Sequence, residues 1–170
     1  METTTRAELR REVEATRDAF HRLLAEVPDA ALPEPSDNPA WTIREVLFHM
    51  SMAPRLMVSD VALITHGPWL VRLLPRLIPR AAFDWCNKVY TRHRGRRMSR
   101  RALGAEYDRA TATILRTLAR VDEADLSRSA VYPGWDPLLA GEVTLARLFH
   151  YVQAHFETHA AQIRSRLREV

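Results

Sequence analysis

Cysteine and glycine are both scarce in this chain of 170 residues, which has one cysteine, Cys86, and five glycines. A single thiol excludes an internal disulfide and a cysteine-rich zinc site, and it fits a reducing, cytoplasmic compartment. Because Cys86 belongs to no CxxC pair, we predict a structural role for it. The few glycines form neither a GxGxxG nor a P-loop pattern, which argues against a glycine-rich phosphate-binding loop.

Long apolar runs are also missing. Arg, Pro or His interrupts each apolar stretch before it reaches the roughly 18 residues needed to span a bilayer, so we predict no transmembrane segment. The N-terminal stretch METTTRAELRREVE is charged, and we expect no secretory signal. The hydrophobic fraction of 46% and the charged fraction of 27% are typical of a globular protein. The length predicts a single domain over residues 1–170.

Positive charge is in modest excess, with a net charge of +4 and arginine at every basic position except Lys88. One basic cluster, residues 92–101, is predicted to be a solvated loop. Its alternative interpretation is a binding module that contacts the phosphates of nucleic acid or an anionic lipid. The cluster lacks interleaved aromatic residues and any DNA-binding motif, which argues against nucleic acid as a partner.

Alternation of apolar and polar residues with period two is absent, so we predict an all-α fold with no sheet. Apolar residues instead recur at steps of three and four. The first predicted helix covers residues 6–27 after a Thr5/Glu8 capping box. The second begins after a Thr42/Glu45 capping box, bends at Pro54 and ends near His66. The third runs from an N-cap at Ser99 to residue 122, and the fourth covers residues 145–167. This pattern predicts a four-helix bundle with a long connection between helices 2 and 3.

The connection, residues 68–98, combines apolar residues with interruptions by Arg and Pro. It predicts short helical turns rather than one long helix. A crossover connection packed along the bundle is the favoured interpretation. The alternatives are a lid over a site, a homodimer patch at residues 69–78, and an amphipathic segment on a membrane surface.

Two histidines lie on the apolar stripe of the last predicted helix. His155 and His159 are four residues apart and therefore project from the same face. His49 points inward from the second predicted helix, whereas His150 lies about 140° away from His155 and is excluded. Three neutral imidazoles from two helices would form an open site for a divalent metal ion, with Zn, Ni, Co and Fe(II) all suited to nitrogen ligands.

Two motifs give the chain a family resemblance. Residues 41–49, WTIREVLFH, resemble the entry to helix 2 in the DinB/YfiT-like superfamily, and residues 155–163 are similar to its helix 4 signature, H-x-x-x-H-x-x-Q-I. The resemblance implies a four-helix bundle that holds a divalent metal with His49, His155 and His159. It also implies relatives that transfer bacillithiol or mycothiol, and a mycothiol-dependent isomerase. Phe156 stands where relatives often have Glu, so no acid–base role is transferred to that position.

The expected chemistry is that of a Lewis acid, which would activate a small-molecule thiol for attack on an electrophile or a water for hydrolysis. A bundle with a purely structural metal is the alternative. Six residues are weighed as possible pocket residues, with packing or loop roles favoured for all of them: Tyr107, Tyr132, Tyr151, Trp135, Asp136 and Gln162.

Overall fold

The computed structural model describes residues 4–168, and these are mostly helical. Seven α-helices and two strands follow one another along this described part of the chain: α1 (Arg6–Glu26), α2 (Ile43–Met50), α3 (Met52–His66), α4 (Pro68–Leu77), α5 (Arg80–Gly95), α6 (Arg100–Leu118), β1 (Ser129–Pro133), β2 (Ala140–Thr144) and α7 (Leu145–Arg168). The helical class is confirmed. The predicted number of helices and the absence of a sheet are not.

The long helices enclose the core. Helix α1 packs against α6 and α7, and α3 packs against the same two helices from the other side. The buried apolar side chains form two clusters, one around Val13, Ile114 and Val152 and the other around Phe20 and Phe156. The α7 residues Val152 and Phe156 belong to different clusters, so His155 lies where the two clusters meet.

The second predicted helix does not bend at Pro54 but is interrupted at Ser51. Helix α2 ends at Met50, and the backbone N–H and hydroxyl of Ser51 both donate to the Phe48 carbonyl. Pro54 is the third residue of α3, where a backbone N–H has no partner within the helix. The proline therefore fixes the break three residues upstream of itself.

The small sheet is an antiparallel pair, in which Ser129 lies opposite Thr144 and Pro133 lies opposite Ala140. The loop between the strands contains Gly134, at φ 69°, and β2 contains Gly141, at φ 73°, a region that favours glycine. Sequence alternation missed the pair because each strand has only five residues and most of them are partly or fully exposed.

The connection packs on the bundle, as the favoured interpretation predicts, but it forms two helices of 10 and 16 residues instead of the predicted short helical turns. Helix α4 contacts β1 and α3, and α5 packs against α2. Trp69, Leu77 and Trp85 nevertheless remain 61%, 73% and 64% exposed. A homodimer through residues 69–78 stays a prediction.

Two predictions for this region need correction. The basic cluster is exposed at most of its positions, as predicted, but only residues 96–99 form a loop. Arg92 and Arg94 lie in the last turn of α5, where a cation interacts favourably with the helix dipole. Arg100, the first residue of α6, donates to the carbonyls of Leu24 and Val27 at the end of α1. Cys86 is exposed on α5 and does not pack in the core.

One stretch, residues 43–66, is long and apolar enough to cross a membrane, judged by length and composition alone. However, 61% of its apolar part is buried inside the structure. These residues form α2 and α3, which line the core and break at Ser51. The structure therefore gives no clear membrane span.

Candidate metal centre

The three predicted histidines converge between α2 and α7. His49 lies in the last turn of α2, and His155 and His159 lie one turn apart on α7. The Nε2 atoms of His49 and His155 are 3.2 Å apart. One ring nitrogen from each of the three residues lies within 4.8 Å of the other two. The inward helical phase of all three residues is confirmed.

Burial keeps these imidazoles neutral. It lowers the pKa of His49 to about 3, with a further contribution from His159. Burial also lowers the pKa of His155 well below its ordinary value, and the neighbouring His49 and His159 act in the same direction. The pKa of His159 is lowered by burial, although its hydrogen bond to Gln162 opposes this. Neutral imidazole is the form that binds metal.

Neighbouring residues fix the orientation of two rings. His159 Nδ1 lies 2.9 Å from Gln162 Oε1, an acceptor, so we assign the proton to Nδ1 and the free lone pair to Nε2. The indole of Trp41 lies against His49 with ring centroids 4.5 Å apart. Outer partners of this kind fix the tautomer of metal-ligating histidines.

The donor set fits a divalent cation. Two nitrogen ligands of a tetrahedral zinc lie about 3.3 Å apart when the Zn–N bonds are about 2.0–2.1 Å, close to the 3.2 Å between His49 and His155. His155 Nδ1 is buried and finds no hydrogen-bond partner among the described residues. The other nitrogen of this ring, Nε2, is the atom that faces His49 and through which His155 would hold the ion.

A pocket opens beside the three rings. It has a volume of about 350 Å³, and its walls come from the three histidines, α5 and the loop between the strands. Asp136 lies in this wall and accepts hydrogen bonds from the Leu138 backbone N–H and the Tyr151 hydroxyl. Burial raises the pKa of Tyr151, and Asp136 raises it further. The histidines are therefore accessible to a small molecule on one side.

The family of this chain follows from its match to a sequence profile. The profile of the DinB superfamily matches residues 12–163. This chain belongs to the DinB superfamily. The match covers all three histidines and confirms the resemblance drawn from the two motifs. No curated protein sequence matches the chain significantly.

Solved structures support the same fold for this DinB-superfamily chain. It is similar to a histidine-to-alanine variant of a mycothiol-dependent maleylpyruvate isomerase, with 15% identity and a TM-score of 0.67. It is also similar to the mycothiol-dependent maleylpyruvate isomerase without that substitution, with 13% identity and a TM-score of 0.63. Each comparison covers 96% of this chain and 63% of the other. The chain therefore spans less than two thirds of those proteins.

Four of the six residues weighed as pocket residues lie at the site of this DinB-superfamily chain. Trp135, Asp136 and Tyr151 line pockets that reach the histidines, and Gln162 binds His159. Trp135 and Asp136 do lie in the loop between the strands and Tyr151 does pack in the core, as favoured, but these positions also place them beside the histidines. The H-x-x-Q spacing contained a signal for Gln162, because residues three apart on a helix are neighbours.

The other two lie elsewhere. Tyr107 stacks on Phe20 in the core, with ring centroids 3.9 Å apart. The Tyr132 hydroxyl donates to Asp60 at 2.8 Å, outside the pockets that contain the histidines.

Sequence reasoning missed Phe83 and Asn87, which line the same pocket from α5. Nothing in the sequence of the connection links it to the histidines, because that proximity depends on how α5 folds back onto α2. The exclusion of His150 agrees with the structure, where its Nδ1 lies 2.8 Å from a Glu12 carboxylate oxygen on α1.

Proposed function

We propose that this chain is a metal-dependent enzyme that transfers a low-molecular-weight thiol to an electrophile. His49, His155 and His159 would hold the divalent ion, which is Zn, Ni, Co or Fe(II). The observation that carries the proposal is the convergence of three neutral, largely buried imidazoles beside an open pocket. The similar structures are of mycothiol-dependent enzymes, which favours a thiol as the small-molecule partner.

The bound ion supplies Lewis acidity, which favours the thiolate form of a thiol near neutral pH. The transfer forms a carbon–sulfur bond and breaks the bond from that carbon to the leaving group, which departs with its electron pair. The thiol proton leaves through the open pocket to water. Gln162 keeps the His159 ring in position, and Trp41 packs against the His49 ring.

The test is thiol consumption by the metal-loaded protein. Purified protein loaded with zinc, nickel, cobalt or iron(II) is mixed with mycothiol or bacillithiol and a panel of electrophiles, and loss of free thiol is followed. We expect consumption above the uncatalysed rate that disappears in the His155→Ala variant. A protein that binds metal but consumes no thiol, or hydrolyses substrate without one, would contradict thiol transfer.

A further inference from the structure

A second, apolar cavity adjoins the histidines. It has a volume of about 280 Å³ and is lined mainly by carbon atoms from α3, α4, α5 and the loop between the strands, including Leu56, Met57, Leu74, Ile78 and Leu139. Phe83, Asp136 and Tyr151 line both this cavity and a smaller pocket that contains His49 and His155. The cavity therefore adjoins the candidate metal centre across shared side chains. Its volume is just below the usual range for small-molecule sites, about 300–1,000 Å³.

Most of the polar groups of this cavity form two tyrosine–aspartate pairs. The Tyr132 hydroxyl donates to Asp60 at 2.8 Å, and the Tyr151 hydroxyl donates to Asp136. Both tyrosine protons are thus already used inside the wall. The other polar side chains of the lining, Ser59 and Trp135, are uncharged.

Positive charge is absent from these walls, although the chain has 25 basic residues. Among residues 4–168, none of the side chains that line the cavity or the two pockets beside the histidines is Arg or Lys. The walls do contain Asp60, Asp84 and Asp136. In the metal-free protein, a carboxylate or phosphate in the cavity would lose its hydration without gaining a counter-charge from these walls.

We propose that this cavity binds the electrophile of the reaction, and that the electrophile is an uncharged, mainly apolar molecule rather than a carboxylate. The assignment of the ligand as the electrophile rests on the proposed function. The selectivity against anions rests only on the walls of the cavity. Maleylpyruvate, the compound named for the similar structures, bears carboxylates and falls outside the class that this cavity accepts.

The test uses two probes of the same shape and different charge, cinnamamide and cinnamate. Dissociation constants are measured by calorimetry on the metal-free protein, and methyl NMR shifts at Ile78 and Leu139 locate the bound probe. We expect cinnamamide to bind at least about tenfold more tightly than cinnamate, which corresponds to about 1.4 kcal/mol. Equal or tighter binding of cinnamate, or no methyl shift with either probe, would overturn the proposal.

A variant that introduces a positive charge sharpens the test. Leu56 lines the cavity and is 46% exposed, so Leu56→Arg adds a cation at its rim without burying one. The matched control is Val131→Arg, because Val131 is 44% exposed and lies on β1. We expect Leu56→Arg to reduce the preference for cinnamamide at least threefold and Val131→Arg to leave it unchanged. A similar change in both variants would overturn the role of the cavity walls.

The His155→Ala variant separates this inference from the proposed function. We expect it to lose metal but to keep its preference for cinnamamide. If the wild type consumes thiol but binds cinnamate more tightly, only the cavity inference fails. If the wild type binds no metal but prefers cinnamamide, only the proposed function fails.

Discussion

The two faces of α7 place histidines in opposite environments. His150 faces α1, where its side chain is 44% exposed and its Nδ1 lies 2.8 Å from Glu12. His155, five residues further along, is 5% exposed and faces His49 and His159 instead of a carboxylate. The comparison shows that helical phase and partner, rather than residue type, separate a histidine in a surface ion pair from a candidate metal ligand.

The largest expected effect comes from replacing one histidine on each face. His155→Ala removes one of three ligands, and we expect it to reduce metal content to background, whereas His150→Ala keeps the content of the wild type. Elemental analysis of the purified proteins makes the measurement. Metal retained by His155→Ala, or lost from His150→Ala, would reverse the assignment of the two faces.

The second effect is a loss of stability in acid for the metal-free protein. The pKa of His49 is about 3 in the folded state and its ordinary value is 6.5, so the unfolded state binds more protons between these two values. The free energy of unfolding therefore falls as the pH decreases below 6.5, by at most about 1.4 kcal/mol per pH unit for each such histidine. His155 and His159 shift in the same direction.

Urea denaturation between pH 7.5 and 5 measures this slope. Removing one contributor in His155→Ala should make the slope shallower, while His150→Ala serves as the control on the other face. A free energy of unfolding that is constant over this range in the wild type would show that the three imidazoles are not held neutral.

The third effect concerns the residue that orients His159. We expect Gln162→Leu to weaken metal binding by about 10- to 100-fold, because the His159 ring loses its hydrogen-bond acceptor. Gln153→Leu is the matched control, since the Gln153 side chain binds Glu157 on the surface of the same helix. Metal affinity is measured by competition with a chelator. Equal affinities for the two variants would remove Gln162 from the site.

The smallest effect is expected at the Glu12–His150 pair. Glu12→Gln should change the free energy of unfolding by less than about 1 kcal/mol, because the two side chains are 24% and 44% exposed and polar pairs near the surface contribute little. Metal content should stay that of the wild type. Thermal and urea unfolding measure the first quantity. A loss of several kcal/mol would show that this face of α7 carries more of the stability than its exposure indicates.

Local signals in the sequence predicted where three of the helices begin. The Thr5/Glu8 and Thr42/Glu45 capping boxes and the Ser99 cap all occur in the structure, because a cap depends on residues three positions apart. The inward phase of the three histidines was also predictable from helical periodicity, whereas their convergence depends on how α2 packs against α7 and was expected from the family resemblance.

Features that depend on tertiary arrangement were not predictable. Phe83 and Asn87 line the pocket only because α5 returns to α2. The short hairpin has too few residues for its periodicity to show. The basic cluster was misjudged because the end of α5, which includes Arg92 and Arg94, was not assigned.

The break at Ser51 divides residues 43–66 between the candidate metal centre and the apolar cavity. Helix α2, before the break, carries His49, whereas α3, after it, supplies Leu56 and Met57 to the apolar cavity. A change in the tilt of α3 would reshape the space offered to a substrate while the imidazole stays in place. Substitutions at Leu56 or Met57 on α3 therefore change the walls of the cavity while leaving the candidate metal ligands themselves unchanged.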